Sequence, residues 1–167
     1  MKIELTNLTF DNYEQVLKLK PSKEQEEYVE SWEYILALAY IGTCQELDGN
    51  LWIIYADGEP VGRVFEGFIE VGTQEPKEVI KYKYANRIMG FFIDEKYQNQ
   101  GIGKVALGMV INKICEDENR KNYPITLEVI GTNEVAKKLY EQLGFYDSGV
   151  RYDNDYAYVR LPQQDNN

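Results

Sequence analysis

A glycine-rich turn between an apolar strand and an apolar helix is the feature that most constrains the fold of this chain. The turn runs from Gln98 to Lys104 and has glycine at positions 101 and 103. It follows the apolar run Phe91–Ile93 and precedes a helical pattern that begins at Val105. Glycine lets the backbone curl tightly around a ligand, and a helix start leaves N–H groups without internal partners. The segment therefore predicts a strand, a turn and a helix that together can hold a diphosphate.

The predicted anion cradle consists of seven consecutive residues: Gln98, Asn99, Gln100, Gly101, Ile102, Gly103 and Lys104. Main-chain amides and the helix dipole favour a bound anion there, and Lys104 adds a full positive charge. A turn that only starts a helix with convenient glycines has the same local pattern, so that alternative stays open on these residues alone. A dinucleotide-binding G-x-G-x-x-G is excluded, because position 106 is Ala.

A second motif lies downstream, in residues 133–145. It reads as a short helix that begins after Thr132 or Asn133 and ends at Gly144. Its apolar residues recur at helical spacing on one side: Val135, Ala136, Leu139 and Leu143. The stretch between the two motifs has room for one long helix and one strand.

The two motifs together resemble the GNAT superfamily of acetyl-CoA-dependent N-acyltransferases. The pair is Q-x-x-G-x-G, followed one helix and one strand later by N-x-x-A-x-x-L-Y-x-x-x-G-F. The resemblance covers residues 88–161. It implies a single-domain α/β fold with a mixed, mostly antiparallel central sheet flanked by helices. It also implies acetyl-CoA as the cosubstrate and no metal.

The resemblance implies roles for particular residues. Tyr140 matches the general acid that protonates the coenzyme A thiolate, although a buried packing tyrosine is the alternative in a chain with 14 tyrosines. The backbone of Phe91, Phe92 and Ile93 would pair with the pantetheine arm, and Asn133 would reach that arm or simply cap its helix. The cations Lys137 and Lys138 would contact phosphate or lie on a solvated helix face.

The chain contains no histidine, which removes the commonest general base and the Ser/His and Cys/His nucleophile systems. Proton transfer must therefore fall to Tyr, Glu, Asp or water. Met89 and Gly90 stand just before Phe91, so no acid is offered there. Glu66, Glu70, Glu33 and a water chain remain candidates for the base.

Acidic residues in a predicted second helix are the only clue to the acceptor. Glu26, Glu30 and Glu33 recur at helical spacing, a layout that attracts an extended polycation. A solvated acidic face is the alternative. The segments 25–31 and 91–98 also resemble the bacterial spermine/spermidine N-acetyltransferases. A primary amine is thus the expected acceptor, and the resemblance implies a polyamine such as spermidine or spermine. The alternatives are another small-amine or protein N-acyltransferase, or a non-catalytic acyl-CoA-binding sensor.

The net charge of −10 disfavours a nucleic-acid partner and favours a small cationic one, unless acidity only confers solubility. The longest apolar run, Tyr34–Ile41, is too short to cross a bilayer, and the N-terminus has no signal-peptide core. We therefore expect a cytoplasmic protein without a membrane partner. The resemblance makes a homodimer possible.

Cys44 and Cys115 lack metal-ligand spacing, and no disulfide is predicted.

Length and pattern predict one domain over residues 1–162 and a disordered polar tail at 163–167. The expected elements of the first part are a strand at Ile3 and Leu5, a helix from Asp11 to Lys20, and a helix from Lys23 to Tyr40 with a Ser22/Gln25 capping box and a stop at Gly42. A hairpin of Leu51–Ala56 and Pro60–Ile69 around Asp57-Gly58 is expected next, and then a strand from Val79 to Asp94 with bends at Asn86 and Gly90. The last expected elements are a helix from Gly101 to about Asn119, a strand at Ile125–Ile130, and a closing hairpin of Tyr146–Val150 and Tyr156–Leu161.

Overall fold

Strands and helices follow the hydrophobic patterns of the sequence in the computed structural model, which describes residues 1–163. The strands are β1 Ile3–Asn7, β2 Gly49–Ala56, β3 Glu59–Glu70, β4 Tyr84–Ile93, β5 Ile125–Ile130, β6 Tyr146–Tyr152 and β7 Asp155–Arg160. The helices are α1 Tyr13–Val16, α2 Trp32–Cys44, α3 Ile102–Glu116 and α4 Glu134–Gln142. Short 3₁₀ turns lie at Glu26–Tyr28 and Glu95–Tyr97.

The seven strands form a sheet in the order β1-β2-β3-β4-β5-β7-β6. Antiparallel pairing joins β1 to β2, β2 to β3, β5 to β7 and β6 to β7. Because β7 lies between β5 and β6, the last two strands do not simply extend the sheet in chain order. This architecture confirms the α/β fold class expected from the sequence.

The chain divides into two compact units, and the first comprises residues 1–67 and 88–110. Its β2–β3 hairpin turns at Asp57 and Gly58, whose φ angles of 50° and 89° are left-handed. The predicted Asp-Gly turn is therefore confirmed. One cluster of its core consists of four buried residues, Val16, Leu19, Ile53 and Phe92, with the partly buried Trp32 packed against it.

The second unit comprises residues 68–87 and those from 111 onward. Strands β5 and β7 pair along their whole length, from Ile125 opposite Arg160 to Ile130 opposite Asp155. Val79, Ala85 and Val159 form a buried apolar cluster. Asn86, which the sequence marks as a bend, instead lies inside β4 and is fully buried. Its amide oxygen accepts from Arg120 Nε at 2.8 Å, so the polar side chain is compensated.

The first two predicted helices are wrong in extent. Helix α1 covers only four residues and begins after Asn12 rather than Asp11, and the Asn12 side chain accepts the Thr9 N–H at 2.8 Å. Helix α2 begins at Trp32, where Ser31 accepts the Tyr34 N–H at 3.2 Å, and it continues past Gly42.

The predicted helix start at Lys23 is wrong, and tertiary hydrogen bonds hold the segment that was expected to be helical. The main-chain carbonyl of Glu30 accepts from Arg63 on β3. Gln25, the predicted partner of Ser22 in a capping box, accepts a side-chain bond from Gln98 instead. The chain between these points is a 3₁₀ turn followed by extended backbone at Val29.

Two further elements, β4 and α3, are shorter than expected. Strand β4 begins at Tyr84 because residues 76–82 form turns, with Val79 N–H bonded to the Pro76 carbonyl at 2.7 Å. The predicted irregularity at Gly90 is present as a left-handed φ of 61°. Helix α3 ends at Glu116 rather than near Asn119. In the predicted tail, Gln163 has no regular structure and residues 164–167 lie outside the described residues.

Candidate active site

The glycine turn between β4 and α3 has the backbone geometry of an anion cradle. Asn99 and Gly101 both adopt left-handed conformations, with φ of 61° and 78°. Helix α3 begins directly afterwards, so the N–H groups of Ile102, Gly103 and Lys104 lie in its first turn, where no intrahelical acceptor precedes them. The turn thus presents consecutive amides and the positive end of a 15-residue helix to an anion.

A glycine at position 103 keeps the first turn of α3 close to the strand. A Cβ at this position would lie 3.2 Å from the Phe91 ring, tighter than ordinary contact. At Gly101 a Cβ would meet nothing within 4 Å, and the demand for glycine there comes from the left-handed φ alone. Gly103 is therefore required for packing, and Gly101 is required for the geometry of the turn.

Gln98 fixes the base of this turn through its side chain. Its Nε2 donates to the Ile93 carbonyl at 2.8 Å and to Gln25 Oε1 at 2.7 Å. Gln98 therefore ties the turn to the end of β4 and to the segment before α2. Gln100 and Lys104 are exposed. Sequence reasoning placed Gln98 correctly in the turn but gave Gln25 no part in it.

Asp94 is a second anchor that the sequence did not single out. It is buried, and its carboxylate accepts the Lys96 N–H at 3.1 Å and the Lys20 N–H at 3.0 Å. The first bond caps the 3₁₀ turn at Glu95–Tyr97, and the second holds the chain just before Pro21. An acid directly after an apolar strand and before a turn was the signal available for it.

The end of β4 offers main-chain groups, while its side chains pack inward. Phe92 and Ile93 are buried, and Phe91 is half-buried beside Gly103. Neighbouring β3 approaches so closely that a Cβ on Gly62 would lie 2.3 Å from the Phe92 carbonyl oxygen. The side chains of this segment thus serve packing.

Glu30 contacts this strand just before the segment Phe91–Ile93. Its Oε2 accepts the Gly90 main-chain N–H at 3.1 Å. Gly90 has a left-handed φ of 61°, and a Cβ there would lie 2.6 Å from Ile35 Cδ1. Both the conformation and the close contact require glycine. The sequence offered no acid in this part of the strand, and the structure brings one to it from 60 residues away.

Arg63 lies behind Glu30 and is almost completely buried, with 1% of its surface exposed. Its guanidinium donates to the Glu30 carbonyl and lies over the Trp32 ring, 4.3 Å from the centroid. Nε and Nη1 have no hydrogen-bond partner among the described residues. Burial lowers the pKa of Arg63 to about 10, although Glu30 and Glu33 oppose that shift. No pattern in the sequence distinguished this arginine.

The three acids proposed as a substrate-binding face do not share one helix face. Glu26 lies in a 3₁₀ turn, Glu30 in the extended link, and Glu33 in the first turn of α2. Glu26 and Glu33 are exposed, whereas Glu30 is half-buried. Hydrogen bonds from its own main chain and from Ser31 lower the pKa of Glu33. The segment is still acidic, but its geometry is that of a loop leading into a helix.

The other candidate bases differ in their surroundings. Glu66 is buried, and its Oε1 accepts from Asn50 Nδ2 at 2.9 Å. Glu70 is exposed at the end of β3. The buried and bonded state of Glu66 points to a structural role, because a buried carboxylate requires such partners.

Asn133, in the second unit, is the N-cap of α4. Helix capping was one of the two roles expected for it. Its Oδ1 accepts the Ala136 N–H at 3.1 Å. Lys137 is not on a solvated face: its Nζ donates to the Gly131 carbonyl and to Glu134, and lies 4.5 Å from the Tyr156 ring centroid. Lys138 is exposed.

Tyr140 lies near the end of α4 and has 9% of its surface exposed. Its ring forms edge contacts with Phe145 and Tyr158, at centroid distances of 6.1 and 6.4 Å. These contacts hold the ring in a fixed orientation within an aromatic cluster. This geometry fits both interpretations of Tyr140, as a packing residue and as a general acid.

No cluster of three or more potential metal ligands occurs in residues 1–163. None of the helices in that part of the chain is long and apolar enough to cross a membrane. Cys44 and Cys115 are both exposed thiols.

Comparison with known proteins places these features in one family. The model of the acetyltransferase (GNAT) family matches residues 8–145, a range that contains both sequence motifs. The chain is also 30% identical over 149 residues to the spermine/spermidine N(1)-acetyltransferase of Bacillus subtilis strain 168, covering 89% of this chain and 91% of that protein.

Solved structures have the same fold. The spermidine N-acetyltransferase of Vibrio cholerae, in complex with CoA and spermine, superimposes with a TM-score of 0.67 at 16% identity, covering 95% of both chains. The PaiA N-acetyltransferase of Thermoplasma acidophilum, in complex with coenzyme A, gives 0.67 at 18% identity, covering 96% of this chain and 99% of that one.

Proposed function

The chain belongs to the acetyltransferase (GNAT) family and is an acetyl-CoA-dependent N-acetyltransferase, and we propose that its acceptor is a polyamine such as spermidine or spermine. The observation that carries the acceptor is the 30% identity, over nearly the whole chain, to a spermine/spermidine N(1)-acetyltransferase. The net charge of −10 supports it, because an acidic protein attracts a polycation.

The glycine turn and the end of β4 would bind the cosubstrate. The turn from Gln98 to Lys104 would bind the diphosphate through main-chain amides, with Lys104 adding a charge. The backbone of Phe91–Ile93 would pair with the pantetheine arm. The geometry of the turn supports this role, since two left-handed residues and a helix start expose several N–H groups together. The Gln98 side chain would shape the turn rather than contact phosphate, because it is already bonded twice.

We assign to Asn133 and Tyr140 the roles that the family motif implies. Asn133 would contact the pantetheine arm with the part of its side chain that does not cap α4. Tyr140 would give its phenolic proton to the departing thiolate. Its fixed ring supports this role, since an acid must lie within hydrogen-bond reach of the atom that it protonates.

The carboxylates that attract the cationic amine also hinder its deprotonation, which is needed before the nitrogen can attack. A nearby carboxylate draws in an ammonium group but also stabilises it and raises an amine pKa that starts at about 10. Exposed Glu26 and Glu33 would attract the distal charges of the polyamine. The reacting nitrogen would need a separate group that accepts its proton. A homodimer, a cytoplasmic location and the absence of a nucleic-acid partner stay predictions.

A coenzyme A thiol-release assay tests the proposal. Spermidine, spermine, an aminoglycoside, free amino acids and peptides are compared as acceptors at one pH. We expect the highest kcat/KM for the polyamines and a KM for spermine that rises with ionic strength, because salt screens charge attraction. Activity confined to other amines would contradict the polyamine acceptor. Coenzyme binding without turnover on any amine would instead favour an acyl-CoA-binding sensor.

The double variant Glu26→Gln with Glu33→Gln tests the attracting acids. It should raise KM for spermine more than KM for a monoamine, because only the polyamine carries distal charges. Equal changes for both acceptors would contradict a role for these two residues in polyamine attraction.

A further inference from the structure

We propose that the carboxylate of Glu30 is the base that accepts the proton of the attacking amine. This inference rests on the proposed transfer of acetyl to an amine and adds the residue that the transfer lacks. Glu30 is the acid that the structure brings to β4, where the sequence of the strand itself provides none.

The position of Glu30 follows from one hydrogen bond. Its Oε2 lies 3.1 Å from the Gly90 nitrogen, one residue before the segment Phe91–Ile93 whose backbone would hold the pantetheine arm. A base must lie within hydrogen-bond reach of the group that it deprotonates, directly or through one water. A half-buried carboxylate at this place retains partial exposure through which it can return the proton to solvent.

Arg63 acts as a positioning residue for Glu30. It fixes the main chain of residue 30 by donating to its carbonyl, and stacking against Trp32 and Phe92 fixes the guanidinium in turn. The arrangement holds Glu30 in place beside the positive charge of Arg63.

The chemical step balances with Glu30 as base. A substrate ammonium gives one proton to the carboxylate, and the neutral nitrogen uses its lone pair to form a C–N bond with the thioester carbonyl carbon. The C–S bond breaks with its electron pair on sulfur, which takes a proton from Tyr140. The amide nitrogen loses its second proton to solvent, the proton on Glu30 leaves to solvent, and solvent reprotonates Tyr140.

The remaining acids are less suited to this step. Glu66 is buried and bonded to Asn50. Glu33 is exposed in the first turn of α2. Glu26 and Glu27 are exposed in the 3₁₀ turn. The Glu30 side chain, in contrast, accepts a hydrogen bond from the main chain of β4.

Glu30→Gln tests the inference, because glutamine keeps an oxygen that accepts the Gly90 N–H but cannot take a proton. We expect kcat with spermidine to fall by roughly 10² to 10⁴-fold, with KM for spermidine and Kd for coenzyme A nearly unchanged. Glu27→Gln, which removes the same charge from an exposed neighbour, should leave kcat unchanged.

A second variant guards against an effect of folding. Glu30→Ala should be slow in buffer and regain turnover when formate is added, because formate replaces the missing carboxylate; Glu27→Ala should not respond. An unchanged kcat in Glu30→Gln, a rise in KM alone, or no rescue by formate of a folded Glu30→Ala would overturn the inference. Those results leave the proposed function intact if the wild type acetylates polyamines. Absence of wild-type turnover on every amine would overturn both.

Discussion

The side chain of Gln98 donates a hydrogen bond of 2.8 Å to the main-chain carbonyl of Ile93, so the first residue of the glycine turn is tied to the last residue of β4. The same Nε2 also donates to Gln25, 73 residues away in the chain. A neutral amide therefore sets where the turn begins relative to the strand. The backbone amides that follow owe their positions to this link.

Replacing Gln98 by Ala should loosen the cosubstrate site. Both bonds are lost, and each is worth about 1 kcal/mol, so we expect Kd for coenzyme A to rise by roughly 5- to 30-fold. Isothermal titration calorimetry measures this change. Gln45→Ala, at an exposed residue after α2, is the matched control and should bind as the wild type does. Equal affinity of both variants would show that the link does not support the turn.

Replacing Gly101 by Ala should strain the turn rather than crowd it. A Cβ meets no atom within 4 Å, but φ is 78°, and the left-handed conformation costs an alanine about 1 to 2 kcal/mol. We expect a lower free energy of unfolding by that amount and weaker coenzyme binding. Urea unfolding gives the first quantity and calorimetry the second.

Gly42→Ala is the control for this change, since Gly42 lies in α2 and a Cβ there also meets nothing within 4 Å. In a helix the same substitution stabilises by up to about 1 kcal/mol. The two variants should therefore move the unfolding midpoint in opposite directions. A shift of the same sign in both would contradict the assignment of strain to Gly101.

Replacing Tyr140 by Phe should remove the acid and keep the ring. We expect kcat to fall by roughly 10² to 10⁴-fold while Kd for coenzyme A stays close to that of the wild type. Steady-state thiol release and calorimetry measure the two quantities. Tyr158→Phe is the matched control, because Tyr158 is a buried ring neighbour whose hydroxyl bonds to Glu141 at 3.3 Å. Turnover that is equal in the two variants would remove the catalytic assignment of Tyr140.

Tyr152 should make stability fall at high pH. Burial, with the nearby Glu75 carboxylate, raises its pKa from 10 to about 12 in the folded state. Between these values the unfolded chain loses the phenolic proton and the folded chain keeps it, so the folded state loses stability as pH rises from about 10 to 12. Below pH 10 the contribution is fully present.

Tyr152→Phe cannot ionise and should therefore show a smaller loss of unfolding free energy between pH 9 and pH 11, values that bracket the onset of the roughly 10 to 12 window. Urea unfolding at the two pH values gives the difference. Tyr40→Phe removes a phenol that is 72% exposed and should retain the pH dependence of the wild type. The same slope in Tyr152→Phe and the wild type would exclude this residue as a source.

The sequence by itself determined most strands, the glycine turn, helix α4 and the family. Ile125–Ile130 forms the predicted strand, Asp57-Gly58 the predicted turn, and Asn133 one of the two predicted caps. These features depend on local rules: apolar periodicity, the left-handed conformation of glycine and Asx capping. Such signals are complete within a dozen residues, so reading the chain alone recovers them.

Only the tertiary structure decided how residues 22–31 fold and which acid approaches β4. Helical spacing of Glu26, Glu30 and Glu33 predicted a continuous helix, but Arg63 takes the Glu30 carbonyl and Gln98 takes Gln25. Those partners lie 33 and 73 residues away, and no local pattern encodes a hydrogen bond over such distances. The same long-range pairing brings Glu30 to Gly90. The three acids therefore do not form one helix face, and Glu30 is the one that a hydrogen bond positions against β4.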